Sequence, residues 1–232
     1  MAQVLLATYG VSLSRGGRRL LNDLHMTLMA GEVLAVTGPS GCGKTSLVRL
    51  LAGLDRPASG QVLVALADGR MVPPAQARGR LAPAFQDAGL PGPLCAVDGV
   101  AAGRLHARPW WGGLGLPPGG VERAAAQLRL AELGVAHLAR RPLAVASGGE
   151  RQRVAVARAL HHGGAVLLLD EPVSQLDRTT AALVMARLRS AARDEGRAVL
   201  VVLHQPELVT GYADRELRLD GAGAAYLVGA AA

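Results

Sequence analysis

Aromatic residues are scarce in this sequence, which has two tryptophans, three tyrosines and one phenylalanine in 232 residues. Single-stranded nucleic acid is usually bound by a basic groove in which aromatic rings stack on the bases, and the sequence has no such stripe. The net charge of +7 comes almost wholly from arginines scattered among Ala and Gly. We therefore interpret this charge as solvated surface and expect no nucleic-acid partner.

Cysteine is also rare, and long apolar runs are lacking. The two cysteines, Cys42 and Cys95, are too few for a disulfide framework and fit a reducing compartment. No apolar run reaches the roughly 18 residues that a membrane-spanning helix needs. Residues 1–10 lack the basic segment that begins a secretory signal. We expect a cytoplasmic protein with a core of ordinary size.

Lysine occurs once, at Lys44, in a chain that otherwise uses arginine. It lies in the run 38–45, called the phosphate loop here, which matches G-x-x-x-x-G-K-[ST] between a strand-like and a helix-like segment. In that context backbone N–H groups and the helix N-terminus face phosphate oxygens. Lys44 would reach the β- and γ-phosphates, and the Thr45 hydroxyl would bind Mg²⁺. The predicted nucleotide-binding residues are Gly38, Pro39, Ser40, Gly41, Cys42, Gly43, Lys44, Thr45 and Ser46.

Two carboxylates, Asp170 and Glu171, follow the apolar run 166–169. A continuous apolar run is typical of a buried parallel strand, and ligands bind at the carboxyl ends of such strands in open α/β sheets. Together with the phosphate loop, this pattern predicts that Asp170 holds Mg²⁺ and that Glu171 polarises the attacking water.

A second glycine turn, Ser147-Gly148-Gly149-Glu150, precedes the helix-like segment 151–161. Ser147 with Glu150 three residues later fits a capping box, which is an ordinary helix start. The same turn also fits a second phosphate-binding site at a helix N-terminus. The local residues leave both interpretations open.

Helix-like and strand-like segments alternate in the second half of the chain, which predicts a parallel sheet covered by helices. Residues 87–118 are rich in Gly and Pro, and we interpret them as the start of an inserted subdomain. The other predicted elements are strands at 4–8, 25–28, 32–37, 61–66 and 81–85 and helices at 46–52 and 121–133.

The ordered set of motifs resembles the ATP-binding subunit of ABC transporters over nearly the whole chain. Residues 146–150, called the signature turn here, resemble the family signature Leu-Ser-Gly-Gly-Gln. Phe85-Gln86-Asp87 resembles the Q-loop, in which Gln86 would complete the Mg²⁺ site and sense the membrane partner. Ser174-Gln175-Leu176-Asp177 resembles the D-loop, and His204 lies where the switch histidine belongs.

This resemblance implies an α/β fold, with a P-loop NTPase (RecA-like) core, an antiparallel β edge and an inserted α-helical subdomain at about 87–145, within a single domain, 1–232. It also implies a homodimer, or a pair with a second ABC ATPase subunit, that binds MgATP between the phosphate loop of one copy and the signature turn of the other. Further implied partners are integral-membrane permease subunits and a solute-binding protein, and the implied location is the inner face of the cell membrane.

Three positions depart from the family pattern. Arg15 stands where an aromatic residue usually stacks on adenine. A guanidinium can also stack on a purine, so Arg15 is the candidate adenine contact, with Tyr9 as the alternative. In the signature turn, Ala146 and Glu150 replace the commoner Leu and Gln, and Glu150 adds a negative charge near phosphate.

Within the family, several stretches resemble the ATPase of phosphonate importers. These stretches are Gly103-Arg104-Leu105, Trp110-Trp111, Asp170-Glu171-Pro172-Val173, Leu203-His204-Gln205 and Tyr212-Ala213-Asp214. The resemblance implies an importer, with a phosphonate-like oxyanion as the expected solute. The alternative is a soluble ABC ATPase that acts on nucleic acid or ribosomes, although such proteins usually carry two cassettes or long insertions.

Overall fold

The computed structural model describes residues 3–85, 92–107 and 119–229. The strands in these ranges are β1 Val4–Arg15, β2 Arg18–Met29, β3 Val33–Thr37, β4 Ser59–Ala65, β5 Met71–Val72, β6 Leu81–Ala84, β7 Val166–Leu169, β8 Ala198–Val202, β9 Arg215–Leu219 and β10 Ala225–Gly229. The α-helices are α1 Lys44–Leu51, α2 Ala96–Ala101, α3 Gly120–Glu132, α4 Gly148–His162, α5 Arg178–Arg193 and α6 Pro206–Tyr212.

The larger sheet has six strands in the order β10-β9-β3-β8-β7-β6. Strands β9, β3, β8, β7 and β6 pair in parallel, and β10 is antiparallel to β9. Every residue of β7 and β8 is buried, because other elements pack on both faces of the sheet. This sheet confirms the predicted parallel arrangement and brings the carboxyl ends of β3, β7 and β8 to one edge.

The smaller sheet is antiparallel and has the order β2-β1-β4-β5. It is the antiparallel part of the predicted fold, but β1 and β2 each have 12 residues and extend well beyond the predicted segments 4–8 and 25–28. Their pairing contains register shifts, and Gly10 and Asp23 have φ values of 62° and 55°. Such irregularities interrupt the alternation of buried and exposed residues, which is why the pattern alone predicts shorter strands.

Two hydrophobic cores lie on opposite faces of the six-stranded sheet. Val33 and Ala35 of β3 face one core, and Leu34 and Val36 face the other. The first core is formed with α2 to α6, and the second with α1 and the antiparallel sheet. This alternation fixes which side of the sheet each helix covers.

Five of these strands and α-helices were not predicted: α2, α6, β9, β10 and the two-residue strand β5. The helices α2 and α6 have six and seven residues, too few for a clear helical period. In β9, Arg215 and Glu216 form ion pairs with Glu32 and Arg218, and these charges obscure the strand pattern. None of the helices in the described ranges has both the length and the apolar character needed to cross a membrane.

Candidate nucleotide-binding and catalytic site

The phosphate loop joins β3 to α1 in a conformation that requires glycine. Gly38 and Gly43 have φ values of 143° and 109°, a region that other residues rarely adopt. A Cβ atom on Gly38 would collide with the carbonyl of Leu219, and one on Gly43 would lie 3.1 Å from Cβ of Leu20. The loop is therefore closely packed on its outer side and directs its inner side into a cleft.

Lys44 is the first residue of α1 and is 6% exposed. Its Nζ donates to the carbonyl oxygens of Gly38 and Pro39 at 2.9 and 3.0 Å. The ammonium group of Lys44 is thus bound to carbonyl groups of its own loop, and it supplies a hydrogen-bond donor where an anion would enter.

The cleft beside the loop has a volume of about 330 Å³. It brings together the phosphate loop, the candidate adenine contact and the candidate catalytic carboxylate. The lining residues are Arg15, Leu20, Ser40, Gly41, Gly43, Lys44, Thr45, Ser46 and Glu171. Tyr9, on β1, is not among the residues that line the cleft in the described ranges, so the geometry favours Arg15 over Tyr9.

Asp170 follows β7 and is 2% exposed. Its backbone N–H donates to the carbonyl of Ala84 at 2.8 Å, while its side-chain Oδ1 is buried without a hydrogen-bond partner among the described residues. Burial raises the pKa of this carboxyl, and the Thr45 hydroxyl opposes that rise by favouring the charged form. A buried carboxylate oxygen with nothing to accept from is a natural ligand for a cation.

Glu171 and His204 meet in the same region, at the ends of the adjacent strands β7 and β8. Nε2 of His204 lies 2.7 Å from Oε1 of Glu171. Glu171 has a φ of 52°, in the left-handed region, and residues in such strained conformations are concentrated at functional sites. The structure therefore brings the two predicted catalytic residues into direct contact.

Gln152 of α4 was not predicted as a site residue, although it is 6% exposed and makes three hydrogen bonds. Its Nε2 donates to the carbonyl of Glu171 at 2.7 Å and to Oγ of Ser174 at 2.9 Å, and its Oε1 accepts from the backbone N–H of Gln175 at 3.2 Å. Helix α4, called the signature helix here, is thereby fixed to the backbone of Glu171. A polar residue one turn after Gly148, on the helix face that continues with Ala155 and Val156, is the sequence signal that points to it.

The signature turn forms the capping box that its sequence allowed. Oγ of Ser147 accepts from the backbone N–H of Glu150 at 3.3 Å, and Oε2 of Glu150 accepts from the backbone N–H of Ser147 at 2.8 Å. The hydroxyl hydrogen of Ser147 and the first N–H groups of α4 are left with no intrahelical acceptor. The capping box and an anion site are therefore compatible in one turn.

The glycines of this turn pack against the predicted D-loop. A Cβ atom on Gly149 would lie 2.9 Å from Cδ2 of Leu176 and 3.1 Å from the carbonyl oxygen of Gln175, and one on Gly148 would collide with the side chain of Gln175. Asp177 at the end of the D-loop caps α5, because its carboxylate accepts from the N–H and the hydroxyl of Thr180 at 3.0 and 2.7 Å.

Not all predicted residues come together. Within the described part of the chain, no residue of the signature turn lines the cleft of the phosphate loop. Gln86, the predicted Q-loop residue, lies outside the described residues, as do Trp110 and Trp111.

Comparison with known proteins agrees with these motifs. The family model described as "ABC transporter" matches residues 21–174. The phosphonates import ATP-binding protein of Hyphomonas neptunium is 42% identical over 204 residues, which are 86% of this chain and 77% of that protein. The aliphatic sulfonates import ATP-binding protein of Pseudomonas putida is 38% identical over 93% of this chain and 73% of that protein. A dimeric ATP-binding cassette, solved with ADP and Pi, is similar in fold, with a TM-score of 0.85 and 23% identity over 98% of this chain and 100% of that one.

Proposed function

This chain belongs to the ABC transporter family as an ATP-binding subunit that hydrolyses ATP, and from that premise we propose that it powers the import of a phosphonate-like oxyanion. The observation that carries the proposal is the cleft lined by the phosphate loop and Glu171, with His204 in contact with Glu171 and the Asp170 carboxylate in contact with Thr45 of the loop. We further propose that residues 1–232 act as a single ATPase domain, with the helical insertion at about 87–145.

The phosphate loop would bind the triphosphate. The backbone N–H groups of residues 40–45 and the N-terminus of α1 supply donors and partial positive charge. Lys44 would exchange its two carbonyl acceptors for phosphate oxygens when ATP binds. Arg15 and Leu20, which also line the cleft, would contact the adenine base.

A Mg²⁺ ion fits the oxygen donors beside the phosphate loop. The buried, unpaired Oδ1 of Asp170 and the hydroxyl of Thr45 are both oxygen donors, which Mg²⁺ prefers. Gln86 is a further proposed ligand. When bound, Mg²⁺ neutralises charge on the β- and γ-phosphates.

Glu171 would orient the attacking water. As the water oxygen bonds to the γ-phosphorus, the bond between the γ-phosphorus and the bridging oxygen of ADP breaks, and the Glu171 carboxylate takes up the proton that the water loses. His204 would hold the carboxylate at 2.7 Å and reach the γ-phosphate. Gln152 would fix the backbone of Glu171 relative to the signature helix.

A second set of phosphate contacts would come from another copy of the chain. Ser147, Gly148 and Gly149 lie outside their own chain's cleft, and their free donors suit a phosphate bound by a partner. We therefore propose a homodimer, or a pair with a second ABC ATPase subunit, in which each ATP lies between two chains.

The remaining partners follow from the importer assignment. The named relatives are import ATP-binding proteins, and we propose that this chain acts with integral-membrane permease subunits and a solute-binding protein, at the cytoplasmic face of the cell membrane. Phosphonates and sulfonates are both tetrahedral oxyanions, which supports that class of solute. A soluble ATPase acting on nucleic acid or ribosomes is the alternative.

Purification from membranes distinguishes the transport proposal from the soluble-ATPase alternative. We expect a tagged chain, extracted in detergent, to carry its permease with it, and the reconstituted complex to hydrolyse ATP faster when a phosphonate and the binding protein are added. An aliphatic sulfonate serves as the matched solute, and the Glu171→Gln chain as the inactive control. Isolation with ribosomes or nucleic acid in place of a permease would overturn the transport proposal.

A further inference from the structure

The signature turn of this chain contains a carboxylate, Glu150, where the family signature usually has a neutral glutamine. Both of its oxygens are engaged. Oε2 accepts from the backbone N–H of Ser147 at 2.8 Å, and Oε1 lies 2.8 Å from Nε2 of His137. Since an ionised carboxylate only accepts hydrogen bonds, Nε2 of His137 donates.

His137 reaches Glu150 from a separate segment, thirteen residues earlier in the chain. It lies in a short 3₁₀ turn, Ala136–Leu138. Val135 and Leu138 on either side of it are 0% and 3% exposed and belong to the first hydrophobic core. The imidazole is thus presented toward the signature turn by a backbone that is fixed in the core.

Both contacts favour the ionised form of Glu150. The backbone N–H of Ser147 and the imidazole of His137, in that order of effect, lower the pKa of Glu150 to about 2. A negative charge at the third position of a helix favours the helix, because the N-terminus carries partial positive charge. The same charge would repel a phosphate held at the same N-terminus.

We propose that His137 is a positioning residue for the signature turn: it binds Oε1 of Glu150 and so holds the carboxylate away from the phosphate that Ser147, Gly148 and Gly149 receive. This inference rests on the proposed shared site. In the parent, Glu150 caps its own helix and the imidazole covers its second oxygen. Without the imidazole, Oε1 is free, and its charge opposes closure of the dimer on ATP.

A double-mutant cycle tests the role. The variants are His137→Ala, Glu150→Gln and the pair, and the readouts are ATP-induced dimerisation, kcat, KM and the ATP affinity of the monomer. We expect His137→Ala to weaken ATP-induced dimerisation by about tenfold, as for one lost hydrogen bond to a charged group, without changing monomer affinity. Within the Glu150→Gln background the same change should have little further effect, because the repelling charge is gone.

Salt and a matched control distinguish electrostatics from loss of structure. The defect of His137→Ala relative to the parent should shrink as ionic strength rises, because salt screens exposed charges. His25→Ala removes another exposed imidazole that contacts a carboxylate, that of Asp23 at 3.1 Å, and should behave like the parent.

The outcomes have separate meanings. The positioning role would be overturned if His137→Ala had the same effect in the parent and in the Glu150→Gln background, or if salt did not reduce the defect. Neither result would contradict the shared site. A parent chain that forms no dimer with ATP would overturn the shared site itself, and the role of His137 with it.

Discussion

The imidazole of His204 lies 2.7 Å from the carboxylate of Glu171, across the ends of two adjacent parallel strands. The pair joins residues 33 positions apart in the chain, so it depends on the register of β7 and β8, in which Leu169 is opposite Val201. Gln152 binds the carbonyl of the same glutamate at 2.7 Å. The side chain of Glu171 is thus held by His204, which follows β8, and its backbone is held by Gln152 of α4.

Replacing Glu171 by glutamine should abolish turnover and preserve nucleotide binding. Glutamine has nearly the same size, but it is a poor acceptor for the proton of the attacking water. We expect phosphate release to fall on the order of 100-fold or more, while equilibrium binding of MgATP stays near that of the parent.

A nearby carboxylate outside the cleft provides the control. Glu207→Gln, at the start of α6 and on the exposed surface, should keep the parental rate. Turnover of Glu171→Gln within about threefold of the parent, which corresponds to well under 1 kcal/mol, would exclude water activation by Glu171.

The adenine contact predicts a second substitution series. Arg15 lines the cleft where the family has an aromatic residue, and a stacked guanidinium contributes about 0.5–2 kcal/mol. Arg15→Ala should therefore raise the dissociation constant of ATP severalfold, and Arg15→Tyr should restore it. Calorimetry measures both, and Tyr9→Ala is the control, because Tyr9 does not line the cleft. Unchanged affinity in Arg15→Ala would mean that no guanidinium stacks on the base.

A stacked histidine pair, His162 at the end of α4 and His106 in the 3₁₀ segment Ala102–Ala107, predicts pH-dependent stability. The rings of His106 and His162 lie 3.9 Å apart. Burial, with repulsion from His106, Arg158, Arg197 and Arg104, lowers the pKa of His162 from 6.5 to about 4. The unfolded chain therefore takes up this proton at a higher pH than the folded chain, and stability present above pH 6.5 is lost as the pH falls toward 4.

Thermal melts at a series of pH values measure this loss. One pKa unit corresponds to about 1.4 kcal/mol, so the full loss is about 3 kcal/mol at most. His162→Phe keeps an aromatic ring without a titrating group and should flatten the profile over this range. The exposed His25→Phe is the control, and an equal acid loss in both variants would show that other groups cause it.

Much of the site could be predicted from the sequence because its motifs are local. The phosphate loop is recognised from glycines at fixed spacing before one helix. Asp170 and Glu171 are recognised from their position at the end of a buried strand. The contacts of Gln152 and His137 were not predicted, because both depend on how α4 and its preceding segment pack on distant loops. For a related reason, the sequence predicts segments that are shorter than the observed strands β1 and β2. The alternation of buried and exposed residues in these strands is interrupted at Gly10 and Asp23.

The signature turn predicts that Ser147→Arg abolishes hydrolysis and leaves ATP binding to the monomer intact. A bulky cation at Ser147 blocks the face of the turn that would receive the partner's phosphate, whereas the chain's own cleft has no lining residue from this turn in the described ranges. Loss of the cap alone should cost about 1 kcal/mol of stability, which a modest fall in melting temperature would reveal. ATP-induced dimerisation, followed by light scattering, should disappear.

Mixing two inactive variants then decides whether the site is shared. Lys44→Ala lacks the phosphate-loop ammonium but has an intact signature turn, and Ser147→Arg has the opposite defect. In a heterodimer, one composite site combines Lys44 from the Ser147→Arg chain with Ser147 from the Lys44→Ala chain, and the other site contains both defects. A site built within one chain cannot be repaired in this way, because each chain carries its own defect. We therefore expect part of the nucleotide-dependent dimerisation and hydrolysis to return on mixing. If neither returns although circular dichroism shows both variants to be folded, the phosphate loop and the signature turn do not share a nucleotide across two chains.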